Sequence, residues 1–212
     1  MKVLGITGGV GAGKSTVLAY MKEKYGAYLL ECDTIGRCLQ QKGEACFKPI
    51  VELFGEECLG EDGELDRGKI AAIVFADAQM LGKLEQIVHP EVKNSVNETI
   101  RMLRGLEEEY QPAFAVVESA ILLEEEYDLI CDEIWYVYAS EEVRAERLAK
   151  SRGYSRERSR QVMDAQKPDS FFRERCDFVI DNSGSEVHDT YEQIDRGLKE
   201  HGFLHDRQRE QR

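Results

Sequence analysis

The sequence has no apolar run approaching the roughly 20 residues that span a bilayer, which excludes a helical membrane span. It opens Met-Lys-Val-Leu-Gly, straight into a strand-like run, with no secretory signal pattern. Its six cysteines (32, 38, 46, 58, 131 and 176) form no Cys-x-x-Cys pair and have no histidine at zinc spacing. Scattered, reduced thiols in a cytoplasmic protein are the expectation. Positive charge is also scarce: 28 Lys and Arg against 41 Asp and Glu leave a net charge of −13. Such a chain is a poor coat for nucleic acid or for a membrane surface, both polyanionic. No internal repeat or low-complexity tract interrupts it, and the end "HDRQREQR" (205–212) is polar and expected to fray.

What is present is one ordinary globular composition, 42 % hydrophobic and 33 % charged over 212 residues, enough for one domain with a sizeable core. Five short apolar runs stand out: "KVLGIT" (2–7), "AYLLE" (27–31), "FAVVE" (114–118), "EIWYVY" (133–138) and "DFVID" (177–181). Their near-continuous Val, Ile and aromatic content predicts strands buried on both faces. Helical patterns separate them. Val92, Val96, Ile100 and Leu103 recur at helical spacing after a His89-Pro90 opening. Ser140 is placed to cap a helix through Lys150, and a further helix is predicted from Ser155 to Ala165. The class is therefore α/β with a mainly parallel five-stranded sheet. Residues 34–112 carry helical patterning and no convincing strand, which reads as a helical insertion at one sheet edge.

Between the first strand and the first helix lies Gly8-Gly9-Val10-Gly11-Ala12-Gly13-Lys14-Ser15, a full match to G-x-x-x-x-G-K-[ST]. Glycines let a backbone turn tightly and aim successive N–H groups inward at phosphate oxygens, and a helix N-terminus adds partial positive charge. Gly11, Ala12, Gly13, Lys14, Ser15 and Thr16 are the candidate phosphate-binding residues. Lys14 is expected to reach the β- and γ-phosphates, and the Ser15 hydroxyl to coordinate Mg²⁺.

The second strand ends "LLECD". If it continues, Glu31 and Asp33 face one side, near the phosphate loop. Asp33 is then either a carboxylate that takes a proton from an acceptor hydroxyl or the cap of a helix starting at Thr34. Glu118, at the end of the third strand, is either a water-mediated Mg²⁺ ligand or a solvated acid. Between Arg144 and Arg175 stand ten basic residues against five acidic ones, a basic island in an acidic chain. It is either a solvated helix surface or an arginine-rich lid for transferring phosphate, with Arg144 and Arg147 sharing a helix face and Arg152 following. "QKPD" (166–169) has some likeness to the guanine reader of GTPases, but it starts with Gln and follows a helical stretch.

In their order and spacing these residues resemble one family, dephospho-coenzyme A kinase, over nearly the whole chain. The likeness rests on "GITGGVGAGKST", "ECDTIGRCL", "HPEV" (89–92), "RLAKSRGYSRERSRQVMDAQ" and "CDFVIDNSG". Departures are Glu31 in place of the first Asp of Asp-x-Asp, "AILLEEE" without its proline, and Cys176 in place of alanine. The resemblance implies the P-loop NTPase three-layer fold, ATP as phosphoryl donor, Mg²⁺, and dephospho-CoA as the acceptor, phosphorylated on its ribose 3′-hydroxyl. It also implies a core (about 1–33, 113–140 and 176–204), acceptor-binding helices (about 34–112) and a lid (about 141–175). Within it Asp33 is the acceptor-side carboxylate, Arg37 lies near substrate phosphates and Arg147 acts from the lid. Asn182 and Gly184 border the adenine, and His89 contacts the acceptor or caps its own helix. The residues alone leave open another P-loop kinase, acting on a nucleoside monophosphate or a small hydroxyl compound, and a nucleotide switch without an acceptor.

Overall fold

A computed structural model describes residues 1–204; the polar end expected to fray lies outside the described residues. In chain order the elements are β1 (Lys2–Thr7), α1 (Lys14–Tyr25), β2 (Tyr28–Glu31), α2 (Cys32–Leu39), α3 (Phe47–Phe54), α4 (Arg67–Ala76), α5 (Ala78–Arg104), β3 (Phe114–Glu118), β4 (Glu133–Tyr138), α6 (Glu141–Arg152), α7 (Arg156–Asp164), α8 (Asp169–Arg173), β5 (Phe178–Asp181) and α9 (Val187–Glu200). The five apolar runs are the five strands, to within a residue at their starts. The sheet order is β2-β3-β1-β4-β5. β1 pairs in parallel with β3 (Val3 opposite Ala115) and β4 (Gly5 opposite Ile134), and β4 with β5 (Trp135 opposite Phe178).

The chain divides into two compact units, one from Met1–Leu30 with the chain from Leu103 on, the other Glu31–Met102. In the first, Leu4, Ile6, Phe114, Val116, Trp135, Val137 and Ile180 project from the strands onto Val17, Leu18 and Met21 of α1 and Ile194 and Leu198 of α9, all buried. Trp135, wholly buried, packs at a tilt against Phe178 and edge-on against Phe203. Burying such side chains contributes roughly 1.5–3 kcal/mol each relative to exposure. In the second unit Cys46, Ile50, Phe54, Cys58 and Ile70 form a separate small core.

Both hydroxyl caps are present: Ser140 accepts from Val143 N–H at the start of α6, and Ser155 from Arg158 N–H at the start of α7. Two expectations are corrected. The helix predicted to open at His89-Pro90 begins at Ala78 and runs through Pro90 to Arg104. Its N-terminal turn is held by Asp77, whose carboxylate accepts from Gln79 and Met80 N–H. The apolar stripe starts upstream, with Met80, Leu84, Ile87 and Val88 packed on the second unit's core. It continues through the buried Val92, Val96, Ile100 and Leu103. Burial along this stripe outweighs the backbone bond that Pro90 removes, worth about 3 kcal/mol in an unsupported helix. His89 therefore sits inside a helix and caps none.

The second correction is at β2, which stops at Glu31; the backbone turns into α2 at Cys32. Cys32 and Gly36, four apart, are buried and Leu39 packs on the second unit's core, so an apolar helical stripe overrides strand alternation. Asp33 lies in the first turn of α2, past its start at Cys32, and is neither a strand residue nor a cap.

Candidate active site

The loop after β1 turns back on itself through Ala12 N–H donating to Gly9 O (3.1 Å), and α1 begins at Lys14 with Thr16 N–H donating to Gly13 O (3.1 Å). Gly13 occupies the helix N-cap at φ +92°, a left-handed conformation that side chains rarely adopt. A Cβ there would also stand 2.2 Å from Asn182 Nδ2. The orphan N–H groups of this N-terminus make a ready anion site.

Lys14 Nζ donates to Gly8 O (2.8 Å) and lies 3.4 Å from Glu118 Oε1, both side chains being about 15 % exposed or less. Ser15 is exposed and Thr16 half-buried in the first turn of α1. The structure thus brings the strand-end acid of β3 to the loop lysine. Ion pairing beneath the loop keeps Lys14 folded down over the glycines.

Side chains from the far end of the sequence brace the loop. Arg147 donates through Nη1 to Ala12 O (3.1 Å) and through Nη2 to Asn182 O (2.9 Å). Asn182, buried at the end of β5, donates from Nδ2 to Ala12 O (2.7 Å) and accepts at Oδ1 from the Thr190 hydroxyl (2.9 Å). Both ends of its amide are thereby engaged within the protein. Arg144 Nε donates to Val10 O (2.8 Å), and its Nη2 to Gln166 Oε1 (2.6 Å). Burial pulls the Arg144 guanidinium below its usual pKa, against the opposing fields of Tyr136, Glu141 and Tyr138.

A cleft of about 430 Å³ opens beside the loop, lined by Gly9, Tyr136, Arg144, Gln166, Lys167 and Asp169 among others. Burial, and then Asp169, which hydrogen-bonds to it, push the Tyr136 hydroxyl well above the usual tyrosine range, so it stays neutral. Further along the basic island, charges face aromatic rings: Arg152 lies 5.9 Å from the Tyr154 ring centroid, Arg173 4.7 Å from that of Tyr138, and Arg175 4.3 Å from that of Phe171. Sequence reading found Arg144 and Arg147 but passed over Gln166 as part of a rival motif. Nothing local signals its role, because its partner Val10 lies 156 residues away.

In the Glu31–Met102 unit, Asp33 and Arg37 are exposed and stand four residues apart on α2, hence on one helix face. Arg67 Nη2 donates to the Arg37 carbonyl (3.4 Å). His89 is half-buried on α5. Among the described residues no group of three or more His, Cys, Asp and Glu is arranged to hold a metal. The Ser15 hydroxyl and the Glu118 carboxylate are hard oxygen donors, the type Mg²⁺ takes when substrate phosphates and water complete its shell.

The dephospho-CoA kinase family model matches residues 2–188. A dephospho-CoA kinase of Carboxydothermus hydrogenoformans is 35 % identical over 196 residues, covering 92 % of this chain and 91 % of that protein. One of Aquifex aeolicus is 36 % identical over 200 residues, covering 94 % and 97 %. Among solved structures, protein TT1252 from Thermus thermophilus superposes with a TM-score of 0.78 at 30 % identity over 94 % of this chain and 97 % of that one. The shikimate kinase of Acinetobacter baumannii shares the fold at a TM-score of 0.52 and 15 % identity, covering 95 % and 94 %.

Proposed function

The chain belongs to the dephospho-CoA kinase family, and from that premise we infer that Gly8–Ser15 holds the phosphates of ATP while Asp33 serves the acceptor. The protein is an ATP-dependent kinase that phosphorylates dephospho-CoA, the last step of coenzyme A biosynthesis. The observation that carries the placement of the donor is the braced loop with Lys14 at its foot.

On binding of ATP, the amides of Gly11, Gly13, Lys14 and Ser15 take phosphate oxygens, Ala12 and Thr16 hold the loop's shape through their bonds to Gly9 O and Gly13 O, and Lys14 exchanges Gly8 O for the transferring phosphoryl group. Ser15 and, through water, Glu118 would hold Mg²⁺, which would supply neutralisation of the phosphate charge. The ribose 3′-oxygen attacks the γ-phosphorus, its proton passes to an Asp33 carboxylate oxygen, and ADP leaves with the bond electrons. Arg37, on the same face of α2, pairs with acceptor phosphate, and His89 lines the acceptor's path. Arg147 and Asn182 act by holding the loop, because their side-chain hydrogen bonds go to Ala12, to Thr190 and to each other. Residues 34–112 supply the wall for the pantetheine arm, 141–175 the lid. Six cysteines in the thiol form support a reducing, cytoplasmic setting.

The test is ADP release with Mg-ATP and dephospho-CoA, AMP, CMP or UMP, followed by NMR location of the new phosphate. Release driven by dephospho-CoA, with phosphate on the 3′-oxygen, is expected. Comparable rates with a simple monophosphate would move the protein to another kinase class, and release indifferent to every acceptor would make it a switch.

A further inference from the structure

Gly9, the second glycine of the loop, is not among the glycines with positive φ, so its backbone asks for no special residue. Space is what excludes a side chain. A Cβ there would stand 2.5 Å from Arg144 Nη2 and 2.9 Å from Gln166 Oε1. These two side chains close a ring on the next residue. Val10 N–H donates to Gln166 Oε1 (3.1 Å), Arg144 Nε donates to Val10 O (2.8 Å), and Arg144 Nη2 donates to the same Gln166 oxygen (2.6 Å). Both backbone polar groups of Val10 are thus taken, one by the residue that follows α7 and one by α6. One glutamine oxygen orders a loop amide and a guanidinium together.

We propose that Gln166 is a positioning residue for phosphoryl transfer, whose side-chain oxygen holds the crest of the phosphate loop at Val10 and aims Arg144 across Gly9. This rests on reading Gly8–Ser15 as the ATP phosphate site. The amides that bind ATP in its ground state follow Val10 in the loop and are untouched by the ring. Gln166 therefore serves the geometry and charge of the transfer step more than the hold on ATP. Effects confined to that step lower kcat and leave KM for ATP nearly unchanged.

Two substitutions separate the oxygen from the bulk. Gln166→Met keeps length and apolar contact but removes the acceptor; Gln166→Glu keeps an acceptor oxygen and sets a charge opposite Arg144. With Mg-ATP and dephospho-CoA, Gln166→Met is expected to lower kcat about tenfold, the scale of one or two lost hydrogen bonds, with KM for ATP within about twofold. Gln166→Glu should recover kcat to within about threefold of the parent. Parental kcat in Gln166→Met, a loss appearing only in KM for ATP, or a Gln166→Glu variant as impaired as Gln166→Met would each overturn the proposal.

Gly9→Ala provides a route that leaves Gln166 in place. It forces Arg144 and Gln166 off the loop and should lower kcat by a similar factor. The double variant Gly9→Ala/Gln166→Met should lose no more than the worse single variant, since both break one ring. Multiplying losses would mean the two residues act separately and would overturn the coupling. Displacement by ATP of a fluorescent ATP analogue from the parent protein checks the phosphate site itself. A parent that does not bind the analogue refutes that site, whereas a binding parent with unaffected variants refutes only Gln166.

Discussion

The phosphate loop and the helical Glu31–Met102 unit are held together by opposite means. Around the loop, side-chain hydrogen bonds join residues 134 to 170 positions apart: Arg144 to Val10, Arg147 to Ala12, Gln166 to Val10 and Asn182 to Ala12. In the helical unit the corresponding bonds span shorter stretches of chain, 10 to 30 positions for Lys69 to Leu59, Lys42 to Glu64 and Arg67 to Arg37, and apolar packing around Ile50 and Phe54 carries the fold. A glycine loop has no side chains of its own to pack. Its shape must be imposed from outside, and directional hydrogen bonds impose shape better than apolar contact does. A helical unit with the acceptor-binding role proposed above needs only a stable surface on which a few polar groups are displayed.

The sharpest way to break this comparison is to remove one reacting group from each region. Asp33→Asn should keep ATP binding and fold, and lose roughly 10²–10⁴-fold in kcat, the worth of a general base. Single-turnover transfer alongside ATP titration checks it. A variant that binds ATP and retains more than a tenth of the parent rate removes the base role. Lys14→Ala should lower kcat roughly 10²–10³-fold, the scale of one preorganised charge donor. Its melting temperature should change little, because the Lys14–Glu118 pair is a partly exposed contact and not core.

Stability changes should follow the other pattern. Ile50→Ala, in the wholly buried centre of the helical unit, should cost about 2–5 kcal/mol, read by denaturant unfolding. Asn182→Ala should cost about 1–3 kcal/mol through an unsatisfied Thr190 hydroxyl and the loss of one of the two bonds to the Ala12 carbonyl. It should also weaken ATP binding, which Ile50→Ala acting through its own unit's core should not do in protein that remains folded.

A smaller effect concerns pH. Burial works against ionisation of Asp195, but hydrogen bonds from Lys24, Tyr25 and Tyr20 outweigh it and hold its carboxyl below the usual range. The group binds a proton less readily folded than unfolded. Its contribution is therefore complete above the ordinary carboxylate pKa and is lost as pH falls through the folded one. The parent should lose more stability than Asp195→Asn between neutral and acid pH. Phe75→Ser should change least, within about 0.5 kcal/mol, because Phe75 is 83 % exposed on α4.

Much of the architecture was legible in the sequence because it depends on local pattern. Apolar runs too short for helices mark the five strands, and Ser140 and Ser155 mark the starts of α6 and α7 through a bond reaching only three residues. The phosphate loop was legible for the same reason: eight consecutive residues carry its glycines, lysine and hydroxyl. Pro90 misled because a local rule was applied where burial extended over the whole of α5. At Asp33 the sequence admits both a continuing strand and a helix cap, because period-2 and helical spacing cannot be told apart over so few residues.

Contiguous residues carry the order of strands and helices, the phosphate loop and the family of the chain. Which of the many basic side chains meet that loop is set by the folded chain. Arg144, Arg147, Gln166 and Asn182 reach it from more than 130 residues away because parallel strands β1, β4 and β5 deliver their following segments to the same end of the sheet, that of the strands' carboxyl ends. Hydrogen bonds act over about 3 Å, and no linear spacing records which distant groups a sheet will bring within that reach.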